Sequence, residues 1–308
     1  MAMTTCRSED SGGERDSLSV GAVIGASVPY LEARGVAEAR LAVEHLAARL
    51  LRCKRLDLAS RANEPLDEKL VGAMRRGVAR LGAGEPVQHV LGRWDFRGIS
   101  VKTDRRALIP RPETEELAQL LLDSPVWEEC AEPRILDYGT GSGCIALAIA
   151  SERPQARVAA IDISAEALEL ARENAEALGL AEKVHFVDSS EVDLGDVFDA
   201  QCFEAVISNP PYISSAVCNR LAPSVRDFEP RAALDGGPDG MDILRTVIED
   251  ASILLASGGM LFLEIGAEEN QAEPLMEFLE EAGFEEIRVA KDLRGCFRFL
   301  VARLARGL

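Results

Sequence analysis

Ile135-Leu136-Asp137-Tyr138-Gly139-Thr140-Gly141-Ser142-Gly143 reads as a short apolar strand that runs into three alternating glycines, followed by an apolar helical stretch from Ile145 to Ala150. Glycines at this spacing let a ligand lie against main chain that side chains would otherwise cover. The spacing is Gly-x-Gly-x-Gly. Neither frame of Gly-x-Gly-x-x-Gly is met, because Cys144 and Ala146 hold the third positions. A dinucleotide with its pyrophosphate therefore fits poorly.

A ligand without phosphate fits better. S-adenosylmethionine needs only close approach of main chain, and donors for its carboxylate near the loop and the helix start. Gly139, Thr140, Gly141, Ser142 and Gly143 are the expected cradle. About 20 residues on, Asp162 ends the next strand, where an acid accepts bonds from ribose hydroxyls. Asp188 and Ser189, just past the third strand, are expected beside the adenine. Structural roles compete with these: a tight turn for the glycines, and a helix cap shared with Ser164 for Asp162. The occurrence of both features in this order, after adjacent strands, favours cofactor binding.

The fourth strand of the same unit carries the chemistry. Val206-Ile207-Ser208 leads into Asn209-Pro210-Pro211-Tyr212, at the sheet edge where ligands of such folds bind. An amide or exocyclic amine nitrogen is a poor nucleophile because its lone pair is delocalised, so orientation has to help. The side-chain oxygen of Asn209 and the main-chain oxygen of Pro210 can accept its two N–H bonds and stabilise the developing positive charge. Pro210 and Pro211 stiffen the segment and lack N–H groups of their own. Tyr212 offers an apolar face to a planar group. Asn209 is expected to touch the cofactor as well.

Outward from this core, residues 109–308 alternate short β-type runs with amphipathic helices, the order of a parallel sheet wrapped by right-handed crossovers. Strands are expected at 134–137, 157–161, 184–187, 203–208 and 260–265, with a closing hairpin at 285–290 and 297–302. Residues 86–108 alternate with Val87, Val90, Trp94, Phe96, Ile99 and Val101 around Gly92 and Gly98, which predicts a β-hairpin linker. Residues 15–85 show helical spacing, as in Ala37, Leu41, Leu46, Leu50 and Leu51, and form a small helical domain. Residues 1–14, polar with Ser11-Gly12-Gly13, read as a frayed leader.

Composition excludes several functions. Lys plus Arg (34) against Asp plus Glu (52) leaves a formal charge of −18, a field that repels phosphate backbones and disfavours stable nucleic-acid binding. Seven scattered cysteines without a Cys-x-x-Cys pair read as reduced thiols of a cytoplasmic protein. No apolar run reaches membrane-span length, and acids precede the apolar stretch from Leu18 where a signal peptide needs positive charge. His45, His89 and His185 lack metal-binding spacing, so no metal is expected. Ser142 lacks the flanking glycines of a hydrolase elbow.

Asn-Pro-Pro-Tyr also occurs in amino-methyltransferases that act on adenine or cytosine, so the alternative substrate is DNA or RNA. Other segments decide. Pro86-Val87-Gln88-His89-Val90-Leu91-Gly92, Trp94-Asp95-Phe96-Arg97-Gly98 and Leu108-Ile109-Pro110-Arg111-Pro112-Glu113-Thr114-Glu115 closely resemble the release factor glutamine-N5 methyltransferases, the PrmC/HemK family. So do Phe228-Glu229-Pro230, Ala233 to Gly240, Glu264-Ile265-Gly266, and Asp292-Leu293-Arg294-Gly295 with Phe299. The resemblance implies an α/β, Rossmann-like class I S-adenosylmethionine methyltransferase domain with a seven-stranded, mostly parallel sheet, preceded by the helical domain and hairpin. It implies methylation of the glutamine in the Gly-Gly-Gln motif of class I peptide chain release factors, held by Asn209 to Tyr212, with S-adenosylhomocysteine as by-product. It also sets the loop from Arg111 to Thr114 near the cofactor. Tyr138 and Glu269 depart from the family's usual leucine and glutamine.

Overall fold

Alternation along the strands explains why one sheet is covered on both faces. In β3 (Arg134–Tyr138) Ile135 and Leu136 are both fully buried, yet they enter different apolar cores because successive side chains point to opposite faces. The same split separates Ala205 and Ile207 from Val206 in β6 (Phe203–Ser208), and Phe262 from Leu261 and Leu263 in β7 (Leu255–Glu264). One face is covered by α5 (Pro112–Leu122) and α7 (Cys144–Glu152), the other by α12 (Asp242–Leu254) and α13 (Ala272–Glu281). The computed structural model describes residues 18–267 and 270–306. The leader read at 1–14, the start of the helical region and the departure at Glu269 lie outside them.

The chain divides into two units after Leu91. The first contains α1 (Val20–Glu32), α2 (Ala39–Leu51), α3 (Glu68–Gly82) and α4 (Val87–Leu91), packed around Leu31, Val43, Leu46 and Leu81. Here one expectation is corrected. Val87 and Val90 are helical, not part of a hairpin. Val87, Val90 and Leu91 stand at i, i+3 and i+4 and pack together on the helical core, and Val90 N–H donates to Pro86 O at 3.1 Å.

The second unit starts with the hairpin itself, β1 (Arg93–Phe96) and β2 (Ile99–Lys102), paired antiparallel. Arg97 and Gly98 turn it, at φ 44° and 80°, the left-handed pair that two-residue hairpin loops need. The remaining elements are α6 (Val126–Glu129), β4 (Arg157–Asp162), α8 (Ala165–Leu178), β5 (Val184–Asp188), α9 (Leu194–Val197), α10 (Ser215–Cys218), α11 (Pro223–Arg226), β8 (Phe284–Lys291) and β9 (Phe297–Leu304).

The seven-stranded sheet has the order β5-β4-β3-β6-β7-β9-β8. β3 to β7 are parallel, whereas β9 runs antiparallel to both β7 and β8. The expected α/β architecture is therefore present. Strand order reverses between β3 and β6, so a crevice opens at their carboxyl ends, the switch point where such sheets bind ligands. β7 starts at Leu255, earlier than the expected residue 260. Gly258 and Gly259 form an irregularity within the strand, the pairing with β6 shifting between Phe203 and Ala205.

Candidate active site

The glycine loop bridges β3 and α7, and Gly139, Gly141 and Gly143 all have positive φ, at 76°, 55° and 82°. Each serves a different purpose. A Cβ on Gly139 would meet nothing within 4 Å, so that glycine keeps main chain bare toward open space. A Cβ on Gly143 would press on Ala171 and Leu147 at 3.1 Å, so this glycine admits close packing of α7 against α8.

Three side chains pin the loop from outside. Asp137 Oδ2 accepts from the Thr140 hydroxyl at 2.6 Å and from Ala146 N–H at 3.1 Å. Asp162 Oδ2 accepts from Gly141 N–H at 2.8 Å, and its Oδ1 from Ser164 N–H at 2.9 Å. Asn174, on α8, donates to Ser142 O at 2.9 Å and also bonds both main-chain groups of Lys102. Burial pushes Asp137 up to about 7, although its two donors act the other way and Asp162 adds repulsion. Asp162 is raised too, chiefly by burial, against the opposing N–H bonds of the loop.

A cavity of about 260 Å³ lies over this loop. Its wall takes in Gly139, Thr140, Gly141, Ser142, Asp162, Ser189, Asn209, Pro210 and Pro211. Gly143, Asp188 and Tyr212 stand behind it. The Asp188 carboxylate turns to the main chain and hydroxyl of Ser190. Tyr212 is tied through its hydroxyl to Glu264 at 3.1 Å and through its carbonyl to Gln271 at 2.8 Å. The far wall comes from residues 106–111 and from Pro230, Ala232 and Ala233. Buried Glu229 joins those two segments, accepting from Ile109 N–H at 3.0 Å and from Arg111 at 2.6 Å.

Asn209 is oriented within this wall. Its Nδ2 donates to Thr114 Oγ1 at 2.9 Å, which turns Oδ1 away from Thr114. Behind the segment, residues 234–236 run beside Ile213. Ile213 N–H donates to Leu234 O at 3.0 Å, and Gly236 N–H to Ile213 O at 2.8 Å.

The cavity fits an adenosine-bearing amino acid. It offers bare main chain at Gly139, a carboxylate at Asp162 and the start of α7 in one crevice. Asp137 Oδ1, fully buried, is left without a hydrogen-bond partner at the foot of the loop, a place where a cationic or water-bridged group is stabilised. Among the described residues no group of three or more metal-ligating side chains occurs, and no helix is long and apolar enough to cross a membrane.

Known proteins resemble this chain. The PrmC N-terminal domain family matches residues 26–92, and the methyltransferase small domain family matches residues 114–222. A release factor glutamine methyltransferase of Rhodopirellula baltica is 37% identical over 88% of this chain and 91% of its own length. Its counterpart in Geobacter sulfurreducens is 38% identical over 89% and 93%. The chain belongs to the release factor glutamine methyltransferase family. The family reaches to human, where the MTRF1L release factor glutamine methyltransferase is 36% identical over 76% of this chain and 72% of its own. Among solved structures, the hMettl16 catalytic domain superposes with a TM-score of 0.56 at 16% identity, over 74% of this chain and 82% of that one. That likeness is one of fold.

In this member of the family, several groups at the site carry no motif in isolation. Thr114 and Glu264 are 150 residues apart and meet because the first turn of α5 packs on the end of β7. Gln271, 1% exposed, fastens Gly266 N–H, Tyr212 O and Gly240 O together. Tyr138 lines the cavity and donates its hydroxyl to Asp250 at 2.7 Å. The sequence signal for Thr114 and Glu264 was their place: the first turn after Pro112, and the end of the strand next to Asn209.

Proposed function

We propose that this chain transfers a methyl group from S-adenosylmethionine to the side-chain amide nitrogen, N5, of the glutamine in the Gly-Gly-Gln motif of class I peptide chain release factors. The observation that carries the reading is the polarity of Asn209. With Nδ2 committed to Thr114, Oδ1 is the end left for an incoming N–H. Two relatives at 37 and 38% identity are named as release factor glutamine methyltransferases, which supports the reading.

The cofactor, when bound, supplies a methyl group made electrophilic by its sulfonium. Main chain from Gly139 to Gly143, with the Thr140 and Ser142 side chains, would hold its amino-acid end. Asp162 would accept from the ribose hydroxyls, and Ser189, with Asp188 behind it, would flank the adenine. The rest falls to the Asn209 segment. Asn209 Oδ1 and Pro210 O would each accept one N–H of the glutamine amide, holding its nitrogen in line with the methyl carbon. Both acceptors would stabilise the positive charge that develops on the amide nitrogen. Pro210 and Pro211 keep the acceptors rigid, and Tyr212 buttresses them through Glu264. The substrate is a translation factor, so the reaction belongs to the cytoplasm.

The competing reading is an amino-methyltransferase of adenine or cytosine. The charge of −18 opposes it, because a nucleic acid would have to approach an acidic surface. Incubation of the chain with labelled cofactor and, in parallel, a purified release factor and DNA or RNA separates the two. Label on the Gly-Gly-Gln peptide is the expected outcome. Label on nucleic acid alone overturns the assignment.

A further inference from the structure

Glu264 ends β7 at 1% exposure, a carboxyl group shielded from bulk solvent. Both oxygens accept hydroxyl protons: Oε2 from Thr114 at 2.8 Å and Oε1 from Tyr212 at 3.1 Å. Thr114 is the middle of a chain, since its Oγ1 also meets Asn209 Nδ2 at 2.9 Å. A hydroxyl has one proton to give. While that proton is held by Glu264, Thr114 can only accept from Asn209, and the amide must present N–H inward and Oδ1 outward. Were the threonine proton released toward Asn209, the amide would reverse. Its NH2 would then face the substrate's own N–H, donor against donor.

We infer that Glu264 is a positioning residue for methyl transfer: acting through Thr114, its carboxylate fixes which end of the Asn209 amide meets the substrate nitrogen. This rests on the role given to Asn209 above. The same carboxylate holds Tyr212, so both ends of Asn209-Pro210-Pro211-Tyr212 hang from one buried charge.

The charge state of Glu264 has several neighbours. Burial pushes it up to about 7, and repulsion from Glu113 on α5 adds to this; the Thr114 and Tyr212 hydroxyls and Arg298 on β9 pull the other way. Behind these, Arg111 faces Tyr212 and Asp292 pairs with Arg298 at 3.6 Å. A proton on Glu264 turns one of its two acceptors into a donor, so the hold on Thr114 or on Tyr212 is lost. Activity should therefore fall as pH drops through neutrality, well above the usual carboxylate range.

Three full-chain variants test this. Thr114→Val keeps the shape but removes the hydroxyl, and should slow single-turnover methylation of a release factor roughly 10²-fold, far more than it changes the cofactor dissociation constant. Thr114→Ser restores the hydroxyl and should restore the rate. Glu264→Gln offers one donor and one acceptor where two acceptors are needed, and should slow transfer roughly tenfold and abolish the acid limb near neutral pH. The inference is overturned if Glu264→Gln retains that limb, or if Thr114→Ser falls as far as Thr114→Val. If even the unaltered chain labels no release factor, the substrate reading fails separately. Nitrogen-15 NMR of the Asn209 side chain still decides the inference then: its Nδ2 protons should exchange with solvent roughly tenfold faster in Thr114→Val. Equal exchange overturns it.

Discussion

Replacing Gly236 by alanine should damage catalysis from behind the cavity wall. A Cβ at this position would stand 2.7 Å from the carbonyl oxygens of both Pro211 and Gly240. Ordinary contact begins near 3.4 Å, so one or both must retreat by about 0.7 Å (3.4 − 2.7). Neither is the end of a flexible side chain. Pro211 O belongs to the segment proposed to hold the substrate, and Gly236 N–H donates to Ile213 O just beyond it. A shift of this size at the acceptors should lower the single-turnover rate roughly 10- to 10²-fold. Overpacking should also cost about 1–3 kcal/mol, a fall in Tm of about 2–12 °C for a unit of this size. Cofactor affinity by calorimetry should be unchanged. A Gly236→Ala protein with normal rate and normal Tm would refute the claim that this loop fixes the Asn209 segment.

Other perturbations separate the parts of the site. Asn209→Ala should cut turnover by about 10²-fold or more while the cofactor still binds, measured by single-turnover kinetics beside equilibrium binding. Glu229→Ala leaves Ile109 N–H and Arg111 unpaired beneath the cavity wall, and should weaken cofactor binding with a smaller effect on the rate of the loaded enzyme. Asp137 is raised from 3.8 to about 7, so its folded form holds a proton more tightly than the unfolded chain does. Its stabilising contribution is full below 3.8 and is lost as pH rises through 7. The Tm of the cofactor-free protein should therefore fall between about pH 4 and 7, and Asp137→Asn should flatten that fall.

The sheet could be read from sequence because its strands obey simple periodicities, and because Gly139, Gly141 and Gly143 occupy a turn that few other residues could form. Asn209 was legible for the same reason, as a polar break at the end of an apolar run. Thr114, Glu229 and Glu264 lie in segments that carry the family resemblance, but their partners could not be read because they are remote in the chain. Glu264 acts on Asn209 only through Thr114, and the three lie on different elements. Glu229 bonds a main-chain N–H 120 positions earlier. The segment at Val87 was misread because spacings of three and four had been mixed with an alternation that belongs to the following strand. The start of β7 was misplaced because Gly258 and Gly259 resemble a break, whereas Arg303 donates to Gly258 O at 2.7 Å and keeps the strand continuous.

The loop from Gly139 to Gly143 is fastened by Asp137, Asp162 and Asn174 using protein groups alone. Such a nest stands ready before its guest arrives. Little ordering entropy then remains to be lost on association, which favours a sequence of events in which the small molecule settles first and the large protein docks onto a loaded surface.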